Sequence, residues 1–392
     1  MGKPVIISGT RTAIGSFGGS LKDISAVDLA SIVIKEVVSR GKVSPSDVQE
    51  VIMGNILQAG QGMNPARQGA LKAGIPVAVP AYTVNKVCGS GLKAIMLAAQ
   101  GIRCDDIETA VAGGMESMSR APFLLEDARW GYRMGQGRLI DEMIKDGLWC
   151  SLGDVHMGMT AENIAERMQI SREEQDAFAA ESQNRAERAI KEGKFREEIV
   201  AVPIPQRKGD PVLFDQDEYP RFGATTEALS KLKPAFKKDG SVTAGNASGI
   251  NDGAAAVLVM DEKKAARMNL GCFAKIIAYH AVALEPEIMG LGPVEAVNGA
   301  LGKAGLKKED IDLFELNEAF AVQSIGVLKK LGIDPAKVNV NGGAVALGHP
   351  IGASGARILV TLMYVMKTMK AKRGIASLCI GGGQGVAMII EM

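Results

Sequence analysis

Three glycine-rich stretches, far apart in the sequence, each carry a side chain suited to acyl chemistry. One reads NKVCGSGLKA around Cys88, and another reads NGGAVALGHPIGASG around His349. The third, CIGGGQG, begins at Cys379. A thiol, an imidazole and a second thiol are the groups that an enzyme needs if it forms a covalent acyl intermediate and also removes a proton from carbon.

Cys88 follows an apolar run, residues 82–87, that is predicted to be a strand, and it precedes a helix predicted to begin near Gly89. At a helix N-terminus, unpaired backbone N–H groups and the helix dipole favour the thiolate form of a cysteine. Most lone cysteines are instead buried structural residues. The glycine-rich setting favours the nucleophile.

His349 is one of only three histidines, and Gly348 and Pro350 place it in a turn. Because an imidazole titrates near neutral pH, His349 is a candidate general base that activates Cys88. The alternative interpretation is a structural histidine whose hydrogen bonds are satisfied inside the protein.

Two further residues have both a catalytic and a structural interpretation. Cys379 is a candidate acid/base group beside glycines whose backbone N–H groups would form an oxyanion hole, or else a core cysteine. Asn317 ends a predicted strand, where its amide either caps the following helix or holds a water aimed at a developing oxyanion.

Two other motifs overlap the Cys88 stretch. GSGLKA matches the G-x-G-x-x-A pattern of dinucleotide sites, but a nicotinamide oxidoreductase gives no role to the two thiols and the imidazole together. SGLK matches the S-x-x-K of penicillin-type acylases, whose S-D-N and K-T-G partner motifs are absent from the sequence.

The chain also resembles itself, which indicates two copies of one α/β unit. SGLKAI from Ser90 resembles SGARIL from Ser354, and polar turns at Asp47 and Asp310 recur at nearly the same spacing. AVAGG, at residues 110–114, resembles LCIGG at residues 378–382. Residues 119–246 have no counterpart in the second copy and are predicted to form an inserted loop domain, with a capping box at the start of a long helix.

Composition limits the function classes. The net charge is +1, which gives no global reason to expect nucleic acid or an anionic membrane as a partner. The 47 glycines among 392 residues predict many tight turns and close backbone approaches. Five cysteines without C-x-x-C spacing favour a reducing compartment over disulfides or zinc. With no leader or membrane-spanning run expected, a cytoplasmic location is predicted.

Together with NEAF at residues 317–320 and TAGNASGINDG at residues 243–253, these stretches resemble the thiolase family over the whole chain, in particular its short-chain biosynthetic members. The resemblance implies two duplicated α/β/α halves in a five-layered αβαβα fold. The expected boundaries are 1–118 and 247–270 for the first half, 119–246 for the loop domain, and 271–392 for the second half.

The resemblance implies an acetyl-CoA C-acetyltransferase that reversibly condenses two acetyl-CoA into acetoacetyl-CoA and CoA by a ping-pong reaction. Cys88 would accept the acetyl group, His349 would activate it, and Cys379 would deprotonate the second acetyl-CoA. One oxyanion hole would consist of His349 and a water held by Asn317. The other would use the N–H groups of Cys88 and Gly381.

The resemblance also implies where substrates bind. Coenzyme A and the acyl group would contact His156, Met157, Arg221, Phe236, Ser248, Ala319 and Phe320. Arg221 and His156 have the simpler interpretations of a solvated charge and a structural histidine. A homotetramer is expected, with no metal and no cofactor beyond the coenzyme A thioester substrates. The alternative activity is a degradative 3-ketoacyl-CoA thiolase acting on longer chains.

Overall fold

The computed structural model describes residues 2–392 as one large sheet with helices on both sides and between its halves. The sheet strands, in spatial order, are Ala81–Val84, Glu50–Gly54, Thr109–Ser117, Asn251–Asp261, Pro4–Thr12, Ala274–Ala283, Gln384–Glu391, Arg373–Ile380 and Leu313–Leu316. The α-helices are Ala26–Arg40, Pro65–Lys72, Ser90–Arg103, Met157–Met168, Arg172–Lys191, Thr226–Ser230, Glu262–Arg267, Gly292–Ala304, Ala321–Leu331, Ala344–Leu347 and Ile351–Met369.

Each half of the sheet repeats one pairing pattern, as the duplication predicts. A short strand lies parallel to a longer one, which pairs antiparallel with a third, and the third pairs antiparallel with a fourth. In the first half these strands are Glu50–Gly54, Thr109–Ser117, Asn251–Asp261 and Pro4–Thr12. In the second they are Leu313–Leu316, Arg373–Ile380, Gln384–Glu391 and Ala274–Ala283. The fourth strands of the two halves pair with each other, Val5 with Lys275 and Ile6 with Ala274.

The helices complete five layers, which confirms the predicted fold class. Helices Ser90–Arg103 and Ile351–Met369 lie side by side between the two halves, within one buried cluster that includes residues of both. Ala26–Arg40 and Pro65–Lys72 cover the outer face of the first half. Gly292–Ala304 covers the outer face of the second.

One of the three sequence matches behind the duplication is wrong in register. Val51 and Phe314 are equivalent, because each lies four residues after the capping aspartate of its half, Asp47 or Asp310. In the sheet, Val51 pairs with Val111, and Phe314 pairs with Ile375. Val111 is therefore equivalent to Ile375 and not to Cys379. Hydrogen bonds fix the strand register, whereas the match rested on glycine content alone.

The two central helices meet at a pair of glycines that the duplication relates to each other. A Cβ added at Gly355 would lie 2.4 Å from the backbone nitrogen of Leu92, and one at Gly91 would lie 2.8 Å from the nitrogen of Ala356. Only glycine permits this approach, which brings the N-terminal ends of the two helices, and the turns before them, close together.

Gly355→Ala is therefore expected to lower the free energy of unfolding by about 1–3 kcal/mol, because the added methyl group overpacks a backbone contact. Gly302→Ala is the matched control, since this helical glycine has open space around its Cβ. That change should be neutral or stabilise the helix by up to about 1 kcal/mol. Urea unfolding of both variants tests the contact, and equal effects would contradict it.

Between strands Thr109–Ser117 and Asn251–Asp261 the chain leaves the main sheet, apart from Ile199–Val200, which pairs with Pro4–Thr12. Short strands pair there as Phe123–Leu124 with Ile140–Asp141, Trp149–Cys150 with Val155–His156, and Val202–Ile204 with Val212–Phe214. The predicted capping box is present at the start of helix Arg172–Lys191. Among residues 2–392, no helix is long and apolar enough to cross a membrane.

Candidate active site

A cavity of about 440 Å³ lies where the two central helices begin, covered by the segment outside the main sheet. All of the predicted site residues except Asn317 line it: Cys88, His349, Cys379, Gly381, His156, Met157, Arg221, Phe236, Ser248, Ala319 and Phe320. The structure thus brings together both thiols, the imidazole and the predicted substrate contacts.

Cys88 is held in a tight turn directly before helix Ser90–Arg103. Val87 has a φ of +47°, an uncommon conformation for a β-branched residue. The Ser90 hydroxyl donates to the Val87 carbonyl at 2.6 Å and accepts from the backbone N–H of Lys86 at 2.8 Å. These bonds fix the direction in which the thiol leaves the backbone.

Two effects act in opposite directions on the pKa of the Cys88 thiol, and the backbone N–H groups favour the thiolate as the helix start predicts. Burial raises the pKa of Cys88 to about 11. Hydrogen bonds from the N–H groups of Gly381 and of Cys88 itself lower this pKa, but by less than burial raises it. The thiol therefore needs a base to become a nucleophile at neutral pH.

His349 is fixed at both its backbone and its ring. Its backbone N–H donates to the side-chain oxygen of Asn251 at 2.8 Å, and its Nδ1 lies 2.6 Å from the hydroxyl of Ser354. Burial, with a smaller contribution from Arg357, lowers the pKa of His349 to about 3. The ring is therefore neutral and able to accept a proton.

Asn317 lies behind His349, buried and outside the cavity lining. Arg357 donates to its side-chain oxygen at 3.5 Å, which turns the amide nitrogen towards the ring. That nitrogen is 3.5 Å from both ring nitrogens of His349, so it forms a directed hydrogen bond with neither. Since the next helix has Phe320 at its N-cap, the interpretation of Asn317 as a helix cap is wrong.

Cys379 is buried near the end of strand Arg373–Ile380. Burial raises the pKa of Cys379, and the nearby Cys88 raises it further. After the strand, Gly382 and Gly383 have φ values of +83° and +84°. These left-handed glycines turn the chain back into the next strand and leave the Gly381 N–H directed at Cys88.

His156 has a structural contact and also faces the cavity. Its Nδ1 accepts from the N–H of Gly158 at 3.1 Å and so caps helix Met157–Met168, which leaves the ring proton on Nε2. The ring stacks on Phe236 at 4.8 Å, and Phe236 meets Phe320 edge-on at 6.2 Å. These three rings form an apolar wall of the cavity.

Arg221 and Ser248, two further predicted substrate contacts, also line the cavity. Arg221 is exposed, with its guanidinium 5.8 Å from the ring centroid of Tyr219. Ser248 is half-buried, and its backbone N–H donates to the Ala319 carbonyl at 3.0 Å. The cavity thus runs from buried sulfur to an exposed cation.

Several residues of the site were missed from the sequence. Ser354 had a usable signal, because the duplication pairs it with Ser90 and each serine holds a turn beside the site. Glu116 had none: its buried carboxylate accepts from the N–H groups of Ile56, Leu57 and Gly352 and so ties a loop to the turn after His349. Burial raises the pKa of Glu116 to about 8.

Two family models match the chain, one in each part of its length. The model described as "Thiolase, N-terminal domain" matches residues 4–263, and "Thiolase, C-terminal domain" matches residues 270–392. The chain belongs to the thiolase family. Two similar proteins, both named acetyl-CoA acetyltransferase, come from Pseudomonas aeruginosa and Cupriavidus necator.

The first of these proteins is 58% identical over 98% of both chains, and the second is 58% identical over 99% of this chain and 98% of its own. The crystal structure of the acetyl-CoA acetyltransferase of Bacillus anthracis superimposes with a TM-score of 0.98 at 47% identity. It covers 100% of this chain and 99% of that one. The thiolase fold is therefore shared over the whole length.

Proposed function

We propose that this thiolase is an acetyl-CoA C-acetyltransferase that reversibly condenses two acetyl-CoA into acetoacetyl-CoA and free CoA. The observation that carries the proposal is one cavity in which two thiols and a neutral imidazole converge. The names of the relatives at 58% identity over nearly the whole chain support the same activity.

In the first half-reaction, His349 takes the proton of the Cys88 thiol, and the sulfur attacks the thioester carbonyl of acetyl-CoA. The thioester bond to CoA breaks, and the CoA sulfur leaves with the proton from His349. The N–H groups of Cys88 and Gly381 both reach the Cys88 sulfur, which supports their role as donors to the oxyanion that forms beside it.

In the second half-reaction, His349, neutral again, takes the proton of the Cys379 thiol, and the Cys379 thiolate removes a proton from the methyl carbon of a second acetyl-CoA. The carbanion attacks the acetyl group on Cys88, which forms the new carbon–carbon bond, and the released Cys88 sulfur takes its proton from His349. We assign the enolate oxygen to His349 and to a water held by Asn317. Losing one such donor typically costs roughly 2.7–4 kcal/mol of transition-state stabilisation.

Incubating the protein with acetyl-CoA alone tests the proposal. Release of CoA together with acetoacetyl-CoA is expected. The alternative, a degradative 3-ketoacyl-CoA thiolase of broader chain length, predicts faster thiolysis of long 3-ketoacyl-CoA than of acetoacetyl-CoA. We assign the wall of His156, Phe236 and Phe320 to the acyl end of the cavity, where it would limit the length of the chain.

Removing part of this wall should change chain-length preference. Phe236→Ala is expected to raise the kcat/KM for 3-ketopentanoyl-CoA, which is one methylene longer, relative to acetoacetyl-CoA by about 10–200-fold, the usual effect of one methylene in an apolar pocket. Phe222→Ala is the control, because that exposed phenylalanine lies outside the cavity lining. An unchanged ratio in Phe236→Ala would show that this wall does not limit the acyl chain.

We further propose a homotetramer. Its support is a set of exposed apolar side chains in the segment 123–139: Phe123, Leu125, Trp130, Met134 and Leu139.

Five unpaired cysteines support a reducing compartment such as the cytoplasm. That the enzyme uses coenzyme A thioesters without a metal or further cofactor remains part of the proposal.

A further inference from the structure

Ser354 is the hydrogen-bonding partner of Nδ1 in the His349 ring. It is fully buried in the first turn of helix Ile351–Met369. Its hydroxyl oxygen lies 2.6 Å from Nδ1 of His349 and 2.9 Å from the carbonyl oxygen of Pro350. One hydroxyl therefore connects the ring to a backbone acceptor.

The donors and acceptors in the hydrogen bonds from His349 through Ser354 to Pro350 decide which ring nitrogen of His349 carries the hydrogen. A serine hydroxyl has one hydrogen to donate, and a carbonyl oxygen can only accept. When Nε2 of His349 carries a proton taken from a thiol, Nδ1–H must also donate, so the Ser354 oxygen must accept from it. The hydroxyl hydrogen then points to the Pro350 carbonyl, so Nδ1–H, the Ser354 hydroxyl and that carbonyl each have a hydrogen-bonding partner.

We propose that Ser354 is a positioning residue that holds His349 with its hydrogen on Nδ1, so that Nε2 takes the proton of Cys88 and the resulting imidazolium keeps a partner. This inference rests on the proposed function, in which His349 is the base. A proton moves from the Cys88 sulfur to Nε2, while the Ser354 hydroxyl only reorients.

Within residues 2–392, the Ser354 hydroxyl forms no hydrogen bond with a charged or titratable group other than His349. Arg357 lies on the same helix and is paired with Glu315 at 3.1 Å, and Glu116 accepts from Gly352 at the start of that helix. Cys88 and Cys379 line the same cavity as His349. A changed pH profile in a Ser354 variant would therefore report on the Ser354 hydroxyl.

The test is single-turnover acetylation by acetyl-CoA, followed by intact mass from neutral to alkaline pH. Ser354→Ala is expected to slow acetylation at neutral pH by roughly 10–100-fold, the usual effect of losing the partner that orients a functional histidine. Its rate should keep rising into alkaline pH, where the thiol ionises without the base, while the wild-type rate levels off. The KM for acetyl-CoA should stay close to that of the wild type.

Ser324→Ala is the matched control. This buried serine occupies the same position in the first turn of helix Ala321–Leu331 and donates to the N-cap carbonyl of Phe320 at 3.1 Å, but it faces no imidazole. Its pH profile should match that of the wild type. If Ser354→Ala does not fold, Ser354→Cys keeps the side-chain volume with a weaker acceptor and should show the same shift in smaller measure.

A Ser354→Ala profile parallel to the wild-type profile would overturn the inference and leave the proposed function intact. Failure of the wild type to form any acetyl-enzyme would instead overturn the proposed function. In that case, the rate at which iodoacetamide alkylates Cys88 across the same pH range still tests Ser354. An equal profile in variant and wild type would again reject it.

Discussion

Cys88→Ala is expected to abolish formation of the acetyl-enzyme and to lower the rate of acetoacetyl-CoA synthesis by roughly 10⁴–10⁶-fold. The reason is that no other group in the cavity combines a thiol with the N–H donors of the Cys88 turn and Gly381. Intact-protein mass after mixing with acetyl-CoA measures the first effect, and acetoacetyl-CoA production measures the second.

Cys104→Ala is the control for this change, because Cys104 is an exposed, unpaired thiol at the end of helix Ser90–Arg103. That variant should keep wild-type acetylation and synthesis. If Cys88→Ala still acquires a stable acetyl group, another residue is the nucleophile and the assignment of Cys88 is wrong.

Cys379→Ser should separate the two half-reactions. Acetylation of Cys88 is expected to persist, while condensation falls by roughly 10²–10⁴-fold, the usual contribution of a positioned acid/base group. A serine hydroxyl is far less acidic than a thiol, so the deprotonated form that would have to take the thioester α-proton is not available at neutral pH. Acetyl-enzyme should therefore accumulate in this variant when acetyl-CoA is supplied alone.

Stopped-flow release of CoA gives the acetylation rate, and acetoacetyl-CoA formation gives the condensation rate. Loss of both rates in equal measure would indicate that Cys379 supports the shape of the site and is not the base for the second step. Loss of acetylation alone would exchange the roles assigned to the two cysteines.

The fold was largely predictable because duplication leaves a pattern that survives sequence change. Ser90 and Ser354, with the glycine after each, match in sequence and lie in the first turns of the two central helices in the structure. The capping box at Ser171 likewise depends on neighbouring residues alone. The match of Val111 to Cys379 was mistaken because glycine content does not determine strand register.

The site was predictable only as far as its motifs extend. The types of Cys88, His349 and Cys379 indicated acyl chemistry, but the pKa of Cys88 depends on burial by residues distant in sequence. The Glu116 contacts and the apolar cavity lining likewise join segments that no local pattern connects. Such properties come from tertiary packing, so they require the structure.

The measurement that tests the central claim most directly is peptide mapping of the protein after brief exposure to acetyl-CoA alone. The account predicts one acetyl group, carried by Cys88, with an equal amount of CoA released, and greater occupancy in Cys379→Ser than in the wild type. Unmodified protein with no CoA released, or acetyl on a residue other than Cys88, would contradict it.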